Sequence, residues 1–357
     1  MTIGIALLGA GIFAREEHLP AIEASPLLSL KAVYSRSQSS ATALAAASSS
    51  PSTVDLYFDS PAAGGKTLAD LLARADIAAI IVVLPILSQP SVIAQAIDAG
   101  KHVLSEKPIA GEVAGAAKLV EWYAARDSQT KPIWSVAENF RYVKSLRHAA
   151  DKLATIGGTV TTFRLQMNAF VKTDNKYFNT EWRKTPTHQG GFLLDGGVHF
   201  VAGLRQLLGA LPQAPQRIVS LAGFSALLEA RLPPVDTVHA VALTQDGKAG
   251  TIAISFGTEF RSGLEIEVVT TNGAVTWTQT TVKTVTRDQL GDKVETNEEF
   301  VYDSGVKAEV AAFAEAIEKA KGGDPRQSPE EALRDLEILQ RLLESGEGGA
   351  VVKAIEY

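Results

Sequence analysis

The chain has 357 residues, of which 46% are hydrophobic and 21% charged, and a formal net charge of −6. That length exceeds what one hydrophobic core usually serves, so two domains are expected in a soluble globular protein. With 34 Lys and Arg against 40 Asp and Glu and no basic run, no nucleic-acid partner is expected. The absence of cysteine excludes disulfides, thiolate metal sites and cysteine nucleophiles. The first apolar stretch lacks the basic leader and cleavage site of a signal peptide, and no apolar run approaches the roughly 20 residues of a membrane span. A cytoplasmic protein with no membrane partner is the expectation.

Residues 1 to about 140 alternate short apolar runs with helical patterns. Runs at 3–8, 29–34, 78–84, 102–105 and 133–137 read as strands, and 12–24, 38–48, 67–74, 89–99 and 112–126 as the helices between them. Continuous apolar strands in that alternation predict a parallel sheet covered on both faces. Gly9-Ala10-Gly11-Ile12-Phe13-Ala14 comes directly after the first strand and opens the first helix. The first glycine permits a tight turn and the second lets backbone approach a pyrophosphate. The third position, here alanine, lets helix pack on strand. That placement predicts a Rossmann doubly wound domain binding a dinucleotide.

The second strand ends Val33-Tyr34-Ser35-Arg36-Ser37. An NAD site usually carries Asp or Glu there to bond the ribose hydroxyls. None is present, whereas Arg36 can meet a 2′-phosphate with Ser35 and Ser37 as neutral donors, so NADP(H) is preferred over NAD(H). Leu84-Pro85 closes the strand over which ribose and nicotinamide would pass, and Ser88 is expected to cap the next helix. Glu106-Lys107-Pro108 ends the strand 102–105, on the carboxyl edge where ligands bind in open α/β sheets. Proline stops the strand and leaves Lys107 projecting from a fixed backbone.

After Lys144 the pattern changes. A helix at about 145–156 leads into a strand at 159–169, a polar and aromatic loop at 171–189, and a helix at 192–208. The loop, with Lys172, Tyr177, Phe178, Trp182 and Arg183, is the expected substrate pocket. In GGFLLDGGVHF, Asp195 and His199 stand four apart on one helical face. Gly196 and Gly197 between them cost roughly 1 kcal/mol each relative to alanine, which points to something bulky against the backbone. No third ligand accompanies the pair, so no metal is expected. From 216 to 301 the chain reads as successive strands, with Asp246-Gly247 and Asn272-Gly273 as hairpin turns in a largely antiparallel sheet. The last helix starts at Ser328-Pro329-Glu330-Glu331, a serine cap with glutamate three residues on, and carries a stripe of Leu333, Leu336, Leu339, Leu342 and Leu343. The expected domains are 1–140 and 141–357, with the helix 329–345 packing back on the first.

These motifs, with AGKHVLSEKPIA at 99–110, Glu138-Asn139-Phe140-Arg141 and Trp182-Arg183, resemble the Gfo/Idh/MocA oxidoreductases over nearly the whole length. The resemblance implies a Rossmann domain and then an α/β domain whose large, mainly antiparallel open-faced sheet forms oligomers, most simply a homodimer. It implies Lys107, Asp195 and His199 as catalytic residues, with Asp195 orienting His199. Asn139, Trp182, Arg183, Glu106 and Lys107 would join the glycine turn around the cofactor, and Arg141 and Trp182 would border a small-molecule substrate with the catalytic groups. Gln89, expected among the cofactor contacts, stands where many members have histidine. The implied activity interconverts a secondary alcohol and a carbonyl on a sugar, polyol, cyclic diol or related molecule. The family also contains a co-repressor branch that binds dinucleotide without chemistry, and Lys107, Asp195 and His199 together favour the enzyme.

Overall fold

The computed structural model of the chain describes residues 2–59, 64, 66–127, 131–320 and 322–357. Six strands form the first sheet: β1 (Ile3–Leu8), β2 (Leu28–Ser35), β3 (Asp55–Phe58), β4 (Ala79–Val82), β5 (His102–Glu106) and β6 (Trp134–Ala137). Their order is β3-β2-β1-β4-β5-β6 and all pairs are parallel. The central strands are apolar at nearly every position because helices cover both faces; Ile80, Ile81 and Val82 have no exposure. The short edge strand β3 has no counterpart among the expected strands, since DLYF carries no continuous apolar run. Strand order reverses between β1 and β4, and the crevice outside the carboxyl ends of these two strands is where this architecture holds ligands.

Nine strands form the second sheet: β7 (Val160–Asn168), β8 (Ile218–Ala226), β9 (Thr237–Thr244), β10 (Ala249–Ser255), β11 (Gly263–Thr270), β12 (Ala274–Trp277), β13 (Thr281–Arg287), β14 (Lys293–Glu299) and β15 (Lys353–Ala354). The order is β14-β13-β12-β11-β7-β10-β9-β8-β15, antiparallel throughout except for the parallel pair β7–β10. Burial alternates along β9, so one face meets the helices and the other is open. On the open face Phe224 is 65%, Val241 52% and Leu243 41% exposed. The expected turns at Asp246-Gly247 and Asn272-Gly273 join β9 to β10 and β11 to β12.

The chain divides into two compact units, Met1–Glu138 with Val306–Leu333, and Asn139–Gly305 with Arg334–Tyr357. The single cut at 140/141 expected from the sequence thus misses a return to the first unit. Val306, Val310, Phe313 and Ala314 of the helix Val306–Lys319 join one buried cluster with Ile5, Leu7 and Leu104. The closing helix also departs from expectation. Glu331 N–H does donate to Ser328 Oγ, 3.3 Å, but the leucine stripe is buried largely in the second unit. Gly197 and Gly190 lack the side chains that would collide with Leu339 and Leu343.

That helix also supplies Asp335, whose carboxylate accepts from both Arg141 and Arg205 inside the second unit. The Asp335 and Arg141 side chains are only 3% and 6% exposed. One buried negative charge therefore holds two guanidinium groups, and removing it strands a buried cation. Asp335→Ala is expected to cost about 3–5 kcal/mol, seen as a lower urea midpoint with an unchanged slope.

Candidate active site

The residues singled out in the sequence fall in both units. In the first, Gly9 comes just after β1 with φ of 104°, and its N–H donates to Tyr34 O at 2.8 Å. A Cβ there would lie 2.0 Å from Val83 O, so only glycine fits between the ends of β1 and β4. Gly11 is exposed and a Cβ on it would meet nothing within 4 Å. Open space over the backbone at the start of a helix is what a pyrophosphate needs. Ala14, fully buried, packs where the fingerprint asks for a small residue. Ala10, Ile12 and Phe13 are half-buried around the turn.

At the end of β2, Arg36 and Ser37 are exposed and Ser35 is half-buried. Ser37 Oγ accepts from Ser40 N–H at 3.3 Å and caps the helix Gln38–Ala46, which has no acidic residue in its first turn. A carboxylate does stand nearby, on the neighbouring strand: Asp59 comes just after β3, and Tyr34 Oη donates to it at 2.6 Å. Burial, and then the Asp59 carboxylate, push the Tyr34 hydroxyl well above its ordinary pKa. No sequence signal marks Asp59, because the strand that carries it there lacks an apolar run of its own.

Beyond β4, half-buried Leu84 and Pro85 lead into a 3₁₀ turn, Ile86–Ser88, and the helix Gln89–Asp98. Ser88 is already helical in φ and ψ and makes no side-chain cap, contrary to expectation. The 3₁₀ turn delivers the chain into the helix without a break, which leaves no extended residue to act as a cap. Gln89 is fully buried, and its Nε2 donates to Pro108 O at 3.2 Å. At the end of β5, Glu106 is 8% exposed and accepts from the fully buried His18 ring, Nε2 to Oε1 2.7 Å. Lys107 is half-buried between these fixed neighbours.

In the second unit, Asp195 and His199 lie on the helix Gly191–Leu208. The bulk anticipated beside the glycine pair is Phe256, whose Cζ would be 2.7 Å from a Cβ on Gly196, and Leu339, 3.0 Å from one on Gly197. The Asp195 carboxylate, expected to orient His199, accepts from Arg183 Nε at 2.8 Å. Arg183 also lies over the Trp182 ring at 4.0 Å and the Tyr177 ring at 5.6 Å, so its charge rests on an aromatic and a carboxylate together. The His199 ring stacks on Phe140, centroids 5.0 Å apart and planes 18° apart. Asn139 Nδ2 donates to Ser304 O at 2.6 Å, and Arg141 is committed to Asp335.

In the loop 171–189, Phe178 is buried and Lys172 exposed. Arg231, which no sequence pattern marks, anchors that loop by donating to Val171 O at 3.2 Å and lying 5.7 Å from the Phe178 ring centroid. Among the described residues no group of three or more His, Cys, Asp or Glu is placed to hold a metal, and no helix is long and apolar enough to cross a membrane.

A parallel sheet of this order, with a glycine turn at its switch point and a lysine-bearing segment at the end of β5, defines a dinucleotide-binding oxidoreductase. Residues 3–132 match the Gfo/Idh/MocA oxidoreductase family model for the NAD-binding Rossmann fold and residues 155–354 its C-terminal alpha/beta domain, and the chain belongs to that family. It is an NAD(P)-dependent oxidoreductase. It is 52% identical to Dehydrogenase FPY6 of Fusarium mangiferae over 355 residues, 99% of each chain. Its fold matches myo-inositol dehydrogenase from Lactobacillus casei, solved with NAD(H) and myo-inositol, with a TM-score of 0.75, 17% identity and coverage of 100% and 98% of the two chains. It also matches KijD10, a 3-ketoreductase from Actinomadura kijaniata solved with NADP and TDP-benzene, with a TM-score of 0.73, 21% identity and coverage of 97% and 98%.

The two glycines of the turn make separable demands. Gly9→Ala is expected to lower the thermal midpoint, since its Cβ meets backbone at 2.0 Å. Gly11→Ala should leave the midpoint unchanged and weaken dinucleotide binding, measured by quenching of intrinsic fluorescence.

Proposed function

We propose that the chain is a cytoplasmic NADP(H)-dependent oxidoreductase that interconverts a secondary alcohol and a carbonyl on a sugar, polyol, cyclic diol or related small molecule. The observation that carries this reading is the Glu106-Lys107-Pro108 segment, fixed at the carboxyl end of β5 in a sheet whose glycine turn leaves Gly11 open. The relative named a dehydrogenase, and the fold's match to an inositol dehydrogenase solved with NAD(H) and a 3-ketoreductase solved with NADP, support the reaction class. When bound, the nicotinamide ring supplies or accepts the hydride. Lys107 and His199 handle the proton at the substrate oxygen. Asp195, held by Arg183, contributes the fixed negative charge of the site, and Trp182 with the loop 171–189 borders the substrate.

The cofactor preference rests on Arg36 and on the acid-free helix start capped by Ser37, where a 2′-phosphate finds a guanidinium and a helix dipole. Asp59, the nearby carboxylate, is engaged by Tyr34. Charge-assisted bonds of about 1.5–3 kcal/mol correspond to roughly ten- to hundredfold in affinity. Calorimetric titration should therefore show NADP(H) binding tighter than NAD(H) by that factor, and Ser35→Asp should move the preference toward NAD(H). Equal binding of the two cofactors by the unmodified chain would remove the NADP assignment.

The catalytic assignment is tested on substrates found by screening sugars, polyols, aldehydes and diketones with absorbance of the reduced cofactor. Lys107→Ala and His199→Ala are each expected to lower kcat by about a hundredfold or more, the range for loss of a general acid or base. Cofactor affinity should persist in both. Near-normal turnover by the two variants would refute their roles.

On the open face of the second sheet Phe224, Val241 and Leu243 lie on β8 and β9, and across β10 from them is an ion-paired strip that includes Arg164 of β7 and Glu265 of β11. Exposed apolar residues toward the β8–β15 side of an open sheet, with charged residues on its central strands, suit a self-complementary contact, and a homodimer through this face is part of the proposal. Light scattering at micromolar concentration is expected to give twice the chain mass, and Val241→Lys to give the monomer.

A further inference from the structure

The first helix after the glycine turn is not α-helical throughout. Residues Ala14–His18 form a π turn before the α-helix Leu19–Ala24. A π turn inserts one residue, which rotates the rest of the helix by about 100° at 3.6 residues per α-helical turn. It leaves His18 with no solvent exposure, its Nε2 2.7 Å from Glu106 Oε1, and with the Phe13 ring edge-on at 5.3 Å. A buried histidine bonded to a buried carboxylate costs desolvation on both sides, so packing alone does not account for it. Its consequence falls on the next residue. Glu106 immediately precedes Lys107, and Pro108 O immediately after it accepts from Gln89, which is also fully buried. Neither His18 Nδ1 nor Gln89 Oε1 has a partner among the described residues, so each side chain commits its one protein bond to this segment.

We infer that His18 and Gln89 are positioning residues that brace Lys107 from both sides, His18 through the Glu106 carboxylate and Gln89 through the Pro108 carbonyl. The inference rests on the proposed role of Lys107 and adds the means by which its backbone is held. The two braces come from different elements, the helix that opens at the glycine turn and the helix beyond β4. They therefore tie the lysine to the same two strand ends that frame the dinucleotide crevice. Lys107 itself keeps a half-buried side chain on an immobile stem, the arrangement in which a small displacement is costly for a reacting group.

The test uses the full-length chain and two readouts. The lysines are ¹³C-methylated reductively and the Lys107 resonance is assigned by its loss in Lys107→Arg. In His18→Leu and in Gln89→Leu that resonance is expected to move toward the position of exposed lysines. On a substrate identified by screening, kcat should fall about ten- to hundredfold, the cost of a misplaced group, with KM and NADP(H) affinity unchanged in His18→Leu. His18→Gln, which keeps an N–H donor, should recover most of the rate and the native resonance. Folded leucine variants with an unmoved resonance and an unchanged kcat would overturn the brace. If the leucine variants do not fold, Glu106→Gln, which keeps size and removes charge, is judged by the same two readouts. If no substrate is turned over, the resonance alone decides, so failure of the proposed reaction and failure of the brace give different results.

Discussion

Contact between the Gly9 backbone and the Val83 carbonyl is the constraint on which the first unit depends. It lies at the carboxyl ends of the neighbouring strands β1 and β4, where the strand order reverses, and the missing Cβ lets the two strand ends approach. Any side chain there would force the turn away from the sheet. The helix after the turn would then lose its direction, and with it the open backbone at Gly11 and the position of His18. A single absent methyl group thus governs both the cradle for an anionic group and one of the bonds that fix Glu106.

The second unit meets a different problem, which is how to set polar residues on an apolar helix. The helix Gly191–Leu208 is buried along most of its length, yet carries Asp195 and His199. Two close approaches make room for it: Phe256 takes the space left by Gly196, and Leu339 that left by Gly197. The charge of Asp195 is met by Arg183, itself supported on Trp182, so a buried carboxylate has its counter-ion on a short helix of the neighbouring loop. Ionic and aromatic contacts therefore connect the loop 171–189 to the helix, and a change in Trp182 reaches Asp195 through Arg183.

Asp335 gives a contrasting use of charge. It joins Arg141, just after the start of the second unit, to Arg205 near the end of the long helix, and is almost wholly buried. Arg141, which the family resemblance placed beside the substrate, has its guanidinium in this knot. A buried cation with a carboxylate partner already satisfies the chemistry that would otherwise mark it for a ligand.

Features that depend on neighbours in the chain are legible in the order of amino acids alone. Apolar runs of strand length, the glycine turn after the first of them, the proline that ends β5 and the serine cap at 328 are local signals, and the structure has each in its expected place. The missing carboxylate after β2 is equally legible, because the chemistry of that position is set by residues in a row. Which distant side chains share a bond is settled by the packing of elements that no local pattern specifies. That the carboxylate of Asp195 meets Arg183 rather than serving only its helical neighbour, that His18 meets Glu106 across 88 residues, and that Asp59 stands by Tyr34 are all of this kind. The return of residues 306–333 to the first unit belongs to the same class, since an amphipathic helix shows that it must bury one face but not which core will receive it.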